Sequence, residues 1–98
     1  MAAYLFHLEL APFNSEMQNT IPAHRAHIDK LFASGKLFSY SVSAMRNQIW
    51  CVLPAESEQE AMEVVLAFPL FPYFTDVACH PLLFHNVLPA TMPLISLN

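Results

Sequence analysis

The sequence predicts an α+β fold, a four-stranded antiparallel sheet with two helices on one of its faces, the ferredoxin-like sandwich. Three observations lead there. Apolar residues alternate with period two from Tyr4 to Leu10, and a β-branched and aromatic run recurs from Gln48 to Leu53. Two stretches carry helical signals, one with His24 inside an apolar stripe and one opened by Ser57-Glu58-Gln59-Glu60. The 98 residues leave room for a single domain, 1–98, and its signals fall in the order β-α-β-β-α-β.

Each element has its own warrant. In the first strand Tyr4, Phe6, Leu8 and Leu10 share one face, and Leu5, His7 and Glu9 the other. Pro12, Asn14 and Ser15 end it. Met17, Ile21, Ile28, Leu31 and Phe32 then recur at helical spacing, with His24 in the same stripe. Pro22 has no N–H to donate, so the regular helix is expected to begin near Thr20, after a looser turn over 14–19. Gly35, the only glycine, stands where a left-handed C-terminal cap is wanted.

Leu37 to Met45 reads as the second strand, Arg46-Asn47 as a tight turn and Gln48 to Leu53 as the third strand, together a hairpin. Ser57 to Glu60 is a capping box with acids in the first turn, opening a helix through Met62, Val65 and Leu66 that stops before Pro69. The prolines of Phe68-Pro69-Leu70-Phe71-Pro72-Tyr73 force the chain out of that helix, and a fourth strand is expected from Phe74 to His80. Residues 81–98 form an apolar tail with Pro81, Pro89 and Pro93, expected either to reach another subunit or to fold on its own domain.

The ferredoxin-like strand order 4-1-3-2 separates Cys51 from Cys79 by the first strand. Two strand spacings are about 9.6 Å, beyond the roughly 7 Å limit for a disulfide. Free thiols are expected.

Composition bounds the partners. The chain is 55% hydrophobic and 12% charged, more apolar than a lone small domain readily hides, so a homo-oligomer is expected. Helices cover one sheet face, and the uncovered face bearing His7 would be hidden by the sheet of a second chain. Two such sheets face to face make a dimeric α/β barrel, with a cavity in each protomer for a small ligand. The formal charge is −4, and the four basic residues Arg25, Lys30, Lys36 and Arg46 are scattered, so nucleic acid is not an expected partner. No apolar run approaches the ~18 residues of a membrane span, and the N-terminus lacks the charged and apolar regions of a secretory signal. A cytoplasmic protein without a membrane partner is expected.

Among groups that could carry chemistry, His7 and Glu9 sit two residues apart on one strand face, about 6.6 to 6.8 Å along the strand. Both could border one ligand, or Glu9 could sit in water at the sheet end and His7 in an interface. His24 and His27 lie on the first helix, where a histidine in an apolar stripe is more often a satisfied core residue than a catalyst. Their i, i+3 spacing fixes no third ligand, so a metal site is not expected. Tyr40, Trp50, Phe71 and Tyr73 are candidates for a ligand-binding wall, since aromatic rings shape a cavity and their polar ends direct hydrogen bonds; each also suits ordinary core packing. Ser-His-Asp arrangements, Gly-rich phosphate loops and dinucleotide fingerprints are absent.

Leu5-Phe6-His7, Gly35 after the first helix, the helix entry from Pro54 to Ser57, Pro69-Leu70-Phe71-Pro72-Tyr73, His80-Pro81 and His85, taken in this order, resemble the muconolactone isomerase family over nearly the whole chain. The resemblance implies a dimeric α/β barrel, often assembled further into decamers. It also implies an enzyme that moves a double bond in a butenolide by a proton shift, with no metal or organic cofactor. Such a shift needs a base beside the carbonyl and donors for the enolate oxygen, and His7, Glu9, His24 and His27 are the catalytic candidates, His7 with a helix histidine foremost. The family's first helix is dense in Lys and Glu, whereas Ala23 to Lys30 here is not, so the acid-base equipment differs and the substrate is open. The segment His24 to Tyr40 also resembles the YCII-related family of the same fold, through Arg25-Ala26-His27 and Gly35. There the helix histidine is proposed to pair with an Asp; Ser41 and Ser43 stand where that Asp would be sought. Two functions are therefore carried forward: an isomerase-like protein acting on a small carbonyl or lactone compound, and a non-catalytic ligand-binding or structural oligomer of the same fold.

Overall fold

The computed structural model describes residues 2–87. Strand β1 (Ala2–Leu10) leads into helix α1 (Ser15–Ala33), then the hairpin strands β2 (Ser39–Val42) and β3 (Gln48–Ala55), helix α2 (Glu58–Leu66), a 3-10 turn at Phe71–Tyr73 and strand β4 (Phe74–Leu82). The sheet order is β2-β3-β1-β4, with every neighbouring pair antiparallel. This is the ferredoxin-like arrangement that the element order predicts.

Alternation decides which face of the sheet is which. Tyr4, Phe6 and Leu8 of β1 join Ile49, Cys51 and Leu53 of β3 in the core beneath the helices. Leu5 and His7 lie between them on the open face, opposite Val52 and Trp50 of β3. Phe6 pairs with Cys51 on one side and Cys79 on the other, so a whole strand separates the two thiols, and both cysteines are free.

The first helix starts earlier than its proline suggests. Asn14 caps it, its Oδ1 accepting from the Met17 amide at 2.9 Å. Pro22 lies inside the helix and, like Gln18, is exposed, so the Gln18 carbonyl that loses its usual donor remains within reach of water. The expectation of a loose turn over 14–19 is thereby corrected. At the other end Gly35 adopts φ +72, and the Gly35 and Lys36 amides donate to the Phe32 and Leu31 carbonyls at 3.1 and 2.8 Å, a Schellman closure.

Other boundaries move too. β2 is only Ser39–Val42, because Ser43 turns the chain: its hydroxyl accepts from the Asn47 and Gln48 amides, and its carbonyl accepts from Arg46. Arg46 takes the positive φ of 60 that this wider turn requires. β3 runs two residues past Leu53, and β4 continues through Pro81, which an edge strand tolerates because a missing N–H there breaks no inner ladder. Ser57 caps α2 by accepting from the Glu60 amide, while the Glu60 carboxylate accepts from Glu56 instead of closing the full box on Ser57. Of the apolar tail expected at 81–98, residues 88–98 lie outside the described residues; Leu83 and Phe84 just after β4 are exposed.

The two helices sit at different heights. α2 buries only Ala61 and Val65, small side chains that let it approach β3 and β4 closely. α1 buries Met17, His24 and Ile28, longer groups that hold its axis off the sheet. The gap beneath α1 is a cleft lined by residues of α1, the hairpin and the segment after β1.

Candidate functional site

That cleft has a volume of about 990 Å³ and opens between α1, the β2–β3 hairpin and the segment after β1. Its walls are mostly apolar, with Phe13, Met17, Ile21, Ile28, Ile49 and Leu70 among them. Polar groups are few and placed unevenly. His24 and Tyr40 lie toward the buried end, while Arg25, Asp29 and Arg46 are exposed residues at the rim. Two of the chain's four basic residues thus border one cleft, in a protein whose formal charge is −4. Arg46 sits over the Phe13 ring, 5.6 Å from its centroid, a cation–π contact that holds it at the mouth.

His24 is the one buried polar residue of the described chain, only 3% exposed. Its Nε2 is 2.6 Å from the Tyr40 hydroxyl, and its Nδ1 has no hydrogen-bond partner among the described residues. Phe68 meets the imidazole edge-on, with centroids 5.7 Å apart. Burial, and secondarily the nearby His27, push the His24 pKa down to about 4. Burial raises the Tyr40 phenol well above its ordinary range, with the Cys51 thiol a smaller cause. Both shifts favour the neutral form of each group.

The other candidates fall elsewhere. His27 packs on Phe68 one turn along, with its Nε2 buried and unpartnered, and is not part of the cleft wall. His7 is on the open face, where its Nε2 donates to Gln48 Oε1 at 2.7 Å and its ring stacks on Trp50 with centroids 5.5 Å apart. Glu9 is exposed at the end of the same face, beside Asp76 on β4. Within one chain the sheet stands between His7 and His24, so a single ligand cannot touch both. Of the aromatic candidates Tyr40 lines the cleft, Trp50 belongs to the open face with His7, Phe71 packs against Phe74, and Tyr73 lies in the 3-10 turn, where its carbonyl accepts from Ala11.

Sequence reasoning did not single out Arg25, Arg46, Asp29 or Phe13 as site residues, nor Tyr40 as the partner of His24. The helical stripe from Met17 to Ile28 did mark the cleft wall. A second signal was available, since a histidine inside such a stripe needs a polar partner from the sheet and Tyr40 is the hydroxyl-bearing aromatic on the nearest short strand. A smaller depression between α2 and β4 holds Cys79, whose thiol is pushed up to about 11 by burial and by the Glu58 carboxylate beside it. No group of three or more His, Cys, Asp or Glu is placed to hold a metal among the described residues, and none of the described helices is long and apolar enough to cross a membrane.

No protein-family model matches this chain, and no curated protein matches it. Solved structures do. The fold is similar to that of muconolactone isomerase, at 16% identity over 94% of this chain and 98% of the other, with a TM-score of 0.68. It is also similar to 5-chloro-2-hydroxyhydroquinone dehydrochlorinase from Burkholderia phenoliruptrix, solved in complex with 2,5-dihydroxybenzoquinone, at 17% identity over 80% of this chain and 90% of that one, with a TM-score of 0.66. The likeness is one of fold, and the fold is the one that the resemblance to the muconolactone isomerase family implies.

Proposed function

We propose that the cleft beneath α1 binds a small, partly apolar carbonyl or lactone compound and carries out cofactor-free proton transfer next to its carbonyl, as in a double-bond isomerisation. The observation that supports this best is His24, buried at the cleft with one ring nitrogen held by Tyr40 and the other unpartnered. An unpartnered buried nitrogen is costly unless something fills its bonding direction. A ligand oxygen in the cleft would do so, while apolar walls exclude water from the reacting centre and the rim arginines favour an anionic group on the same molecule. The two similar structures agree in kind: one is a lactone isomerase, and the other holds a small quinone.

The open sheet face belongs to the same reading. Leu5, His7, Trp50 and Val52 share that face, and Trp50 remains 38% exposed in the single chain. A second copy laid sheet to sheet would cover Leu5, His7 and Trp50 and form the dimeric barrel. Light scattering is expected to give a dimer or a multiple of it; a clean monomer would remove this part of the proposal.

A second reading has one observation in its favour. With a pKa of about 4, His24 is a weak base near neutral pH, which suits a binding protein without turnover. Proton NMR of muconolactone in deuterated buffer, with chelator and a heat-denatured control, separates the two. Net isomerisation supports the enzyme, and exchange without isomerisation places a competent base in the cleft and points to another carbonyl substrate. If neither occurs but the compound still perturbs the His24 resonances, the binding reading stands.

A further inference from the structure

The orientation of the His24–Tyr40 hydrogen bond determines what His24 can offer a ligand, and two neutral arrangements are available. In the first, Nε2–H donates to the Tyr40 oxygen. The phenol proton is then without an acceptor among the described residues, and Nδ1 is left as a bare lone pair, so two polar groups go unmet. In the second, the Tyr40 hydroxyl donates to a bare Nε2, and the imidazole proton sits on Nδ1. Only that Nδ1–H is then unmet. The first arrangement leaves one more polar group without a protein partner than the second, and unmet groups shielded from water carry a desolvation penalty, so the second arrangement is favoured.

We infer that Tyr40 locks His24 in the Nδ1–H form, so that the cleft presents to its ligand a neutral hydrogen-bond donor aimed at an acceptor oxygen, not a base aimed at carbon. This rests on the functional reading above and specifies the contact within it. Tyr40 is a positioning residue that acts through the imidazole. His24 is the group that touches the ligand, polarising its carbonyl or quinone oxygen through the Nδ1–H, as neutral imidazoles do elsewhere. The ligand class narrows accordingly to compounds that place a carbonyl, quinone or enolate oxygen at the buried end.

The surroundings keep the pair neutral. Facing or flanking His24 are Arg25, His27 and Asp29 on α1, Tyr40 on β2, Arg46 in the hairpin and, behind Tyr40, the Cys51 thiol on β3. Of these, Asp29 is the only carboxylate, and it lies at the exposed rim. Burial pushes the imidazole down and the phenol up, so the two pKa values move apart and no imidazolium–phenolate pair forms.

The test is two-bond proton–nitrogen correlation NMR on protein labelled with nitrogen-15 histidine, His24 being assigned by its disappearance in His24→Gln. The expected result is a protonated Nδ1 and a bare Nε2 at neutral pH, unchanged on acidification to about pH 5, below the ordinary histidine value. In Tyr40→Phe the same ring should shift toward the Nε2–H form. A wild-type ring protonated on Nε2 overturns the inference, as does an Nδ1–H form that survives unchanged in Tyr40→Phe. If that variant does not fold, the wild-type tautomer decides alone. Muconolactone and 2,5-dihydroxybenzoquinone are then titrated in turn. Downfield movement of the Nδ1 proton is the expected sign of an acceptor oxygen arriving. With the tautomer as stated, silence toward both probes counts against the functional reading and not against the tautomer.

Discussion

The two faces of the sheet treat the same residue type in opposite ways. On the open face His7 has its hydrogen bond to Gln48 and its stack on Trp50, both from the neighbouring strand β3, and it remains half-buried. On the covered face His24 comes from a helix, shares one hydrogen bond with a tyrosine of the edge strand β2 and is closed off from water with its second nitrogen unpartnered. His7 has one ring nitrogen bonded within its own sheet and its ring stacked there, whereas His24 lines a cleft and keeps one buried nitrogen unpartnered. The lesson is that burial alone marks neither residue as functional; the unmet bonding direction distinguishes them.

Four experiments bear on this contrast, in falling order of expected effect. Phe68 is 2% exposed and its ring touches those of His24, His27, Tyr40 and Phe74. Truncation in Phe68→Ala removes the platform of the covered face and should cost about 3 to 5 kcal/mol in urea unfolding. A loss under about 1 kcal/mol would mean that the aromatic cluster is not packed as described.

The second experiment is stability against pH. His24 has its pKa lowered from 6.5 to about 4, so below pH 6.5 the unfolded chain takes up a proton that the folded one refuses. The unfolded state binds more protons in that window, and stability therefore falls as pH drops from 6.5 toward 4. The contribution is present in full above 6.5 and amounts to roughly 3 kcal/mol, about 1.4 kcal/mol for each pH unit between the two values. His24→Gln should flatten the slope in this window; an unchanged slope would assign it to other groups.

Ligand response comes third. His24→Gln should lower turnover or affinity for muconolactone by about tenfold or more, about 1.4 kcal/mol, and His7→Gln should lower it less. An equal or larger loss in His7→Gln would move the ligand to the open face and its dimer. Fourth, Asn14→Ala removes the cap that starts α1 and should cost about 1 kcal/mol by thermal or urea unfolding. A neutral result would show that Asn14 contributes no net stability at the start of α1.

Much of the fold was legible because period and punctuation are local. Alternation set the faces of β1, Ser57 marked the start of α2, and Gly35 marked the left-handed closure of α1. Pro22 misled, because propensity treats a proline within a helix as a break, whereas exposure of the affected turn left its carbonyl open to water. The site was half legible. The apolar stripe of α1 announced the wall with His24 in it, but nothing local connects His24 to Tyr40, which lies sixteen residues on.

By itself the sequence determined the element order and the inward and outward faces of β1, because these follow from the chain's own periodicity and punctuation, while short motifs carried the resemblance that pointed to the fold and, with its strand order, to the separation of Cys51 from Cys79. Only the tertiary structure decided that α1 stands off the sheet while α2 lies close, that the gap holds His24 with Tyr40 beneath rim arginines, and that His7 and His24 serve different surfaces. Those facts depend on how far apart packed side chains hold two elements, and that distance is set jointly by residues remote in sequence.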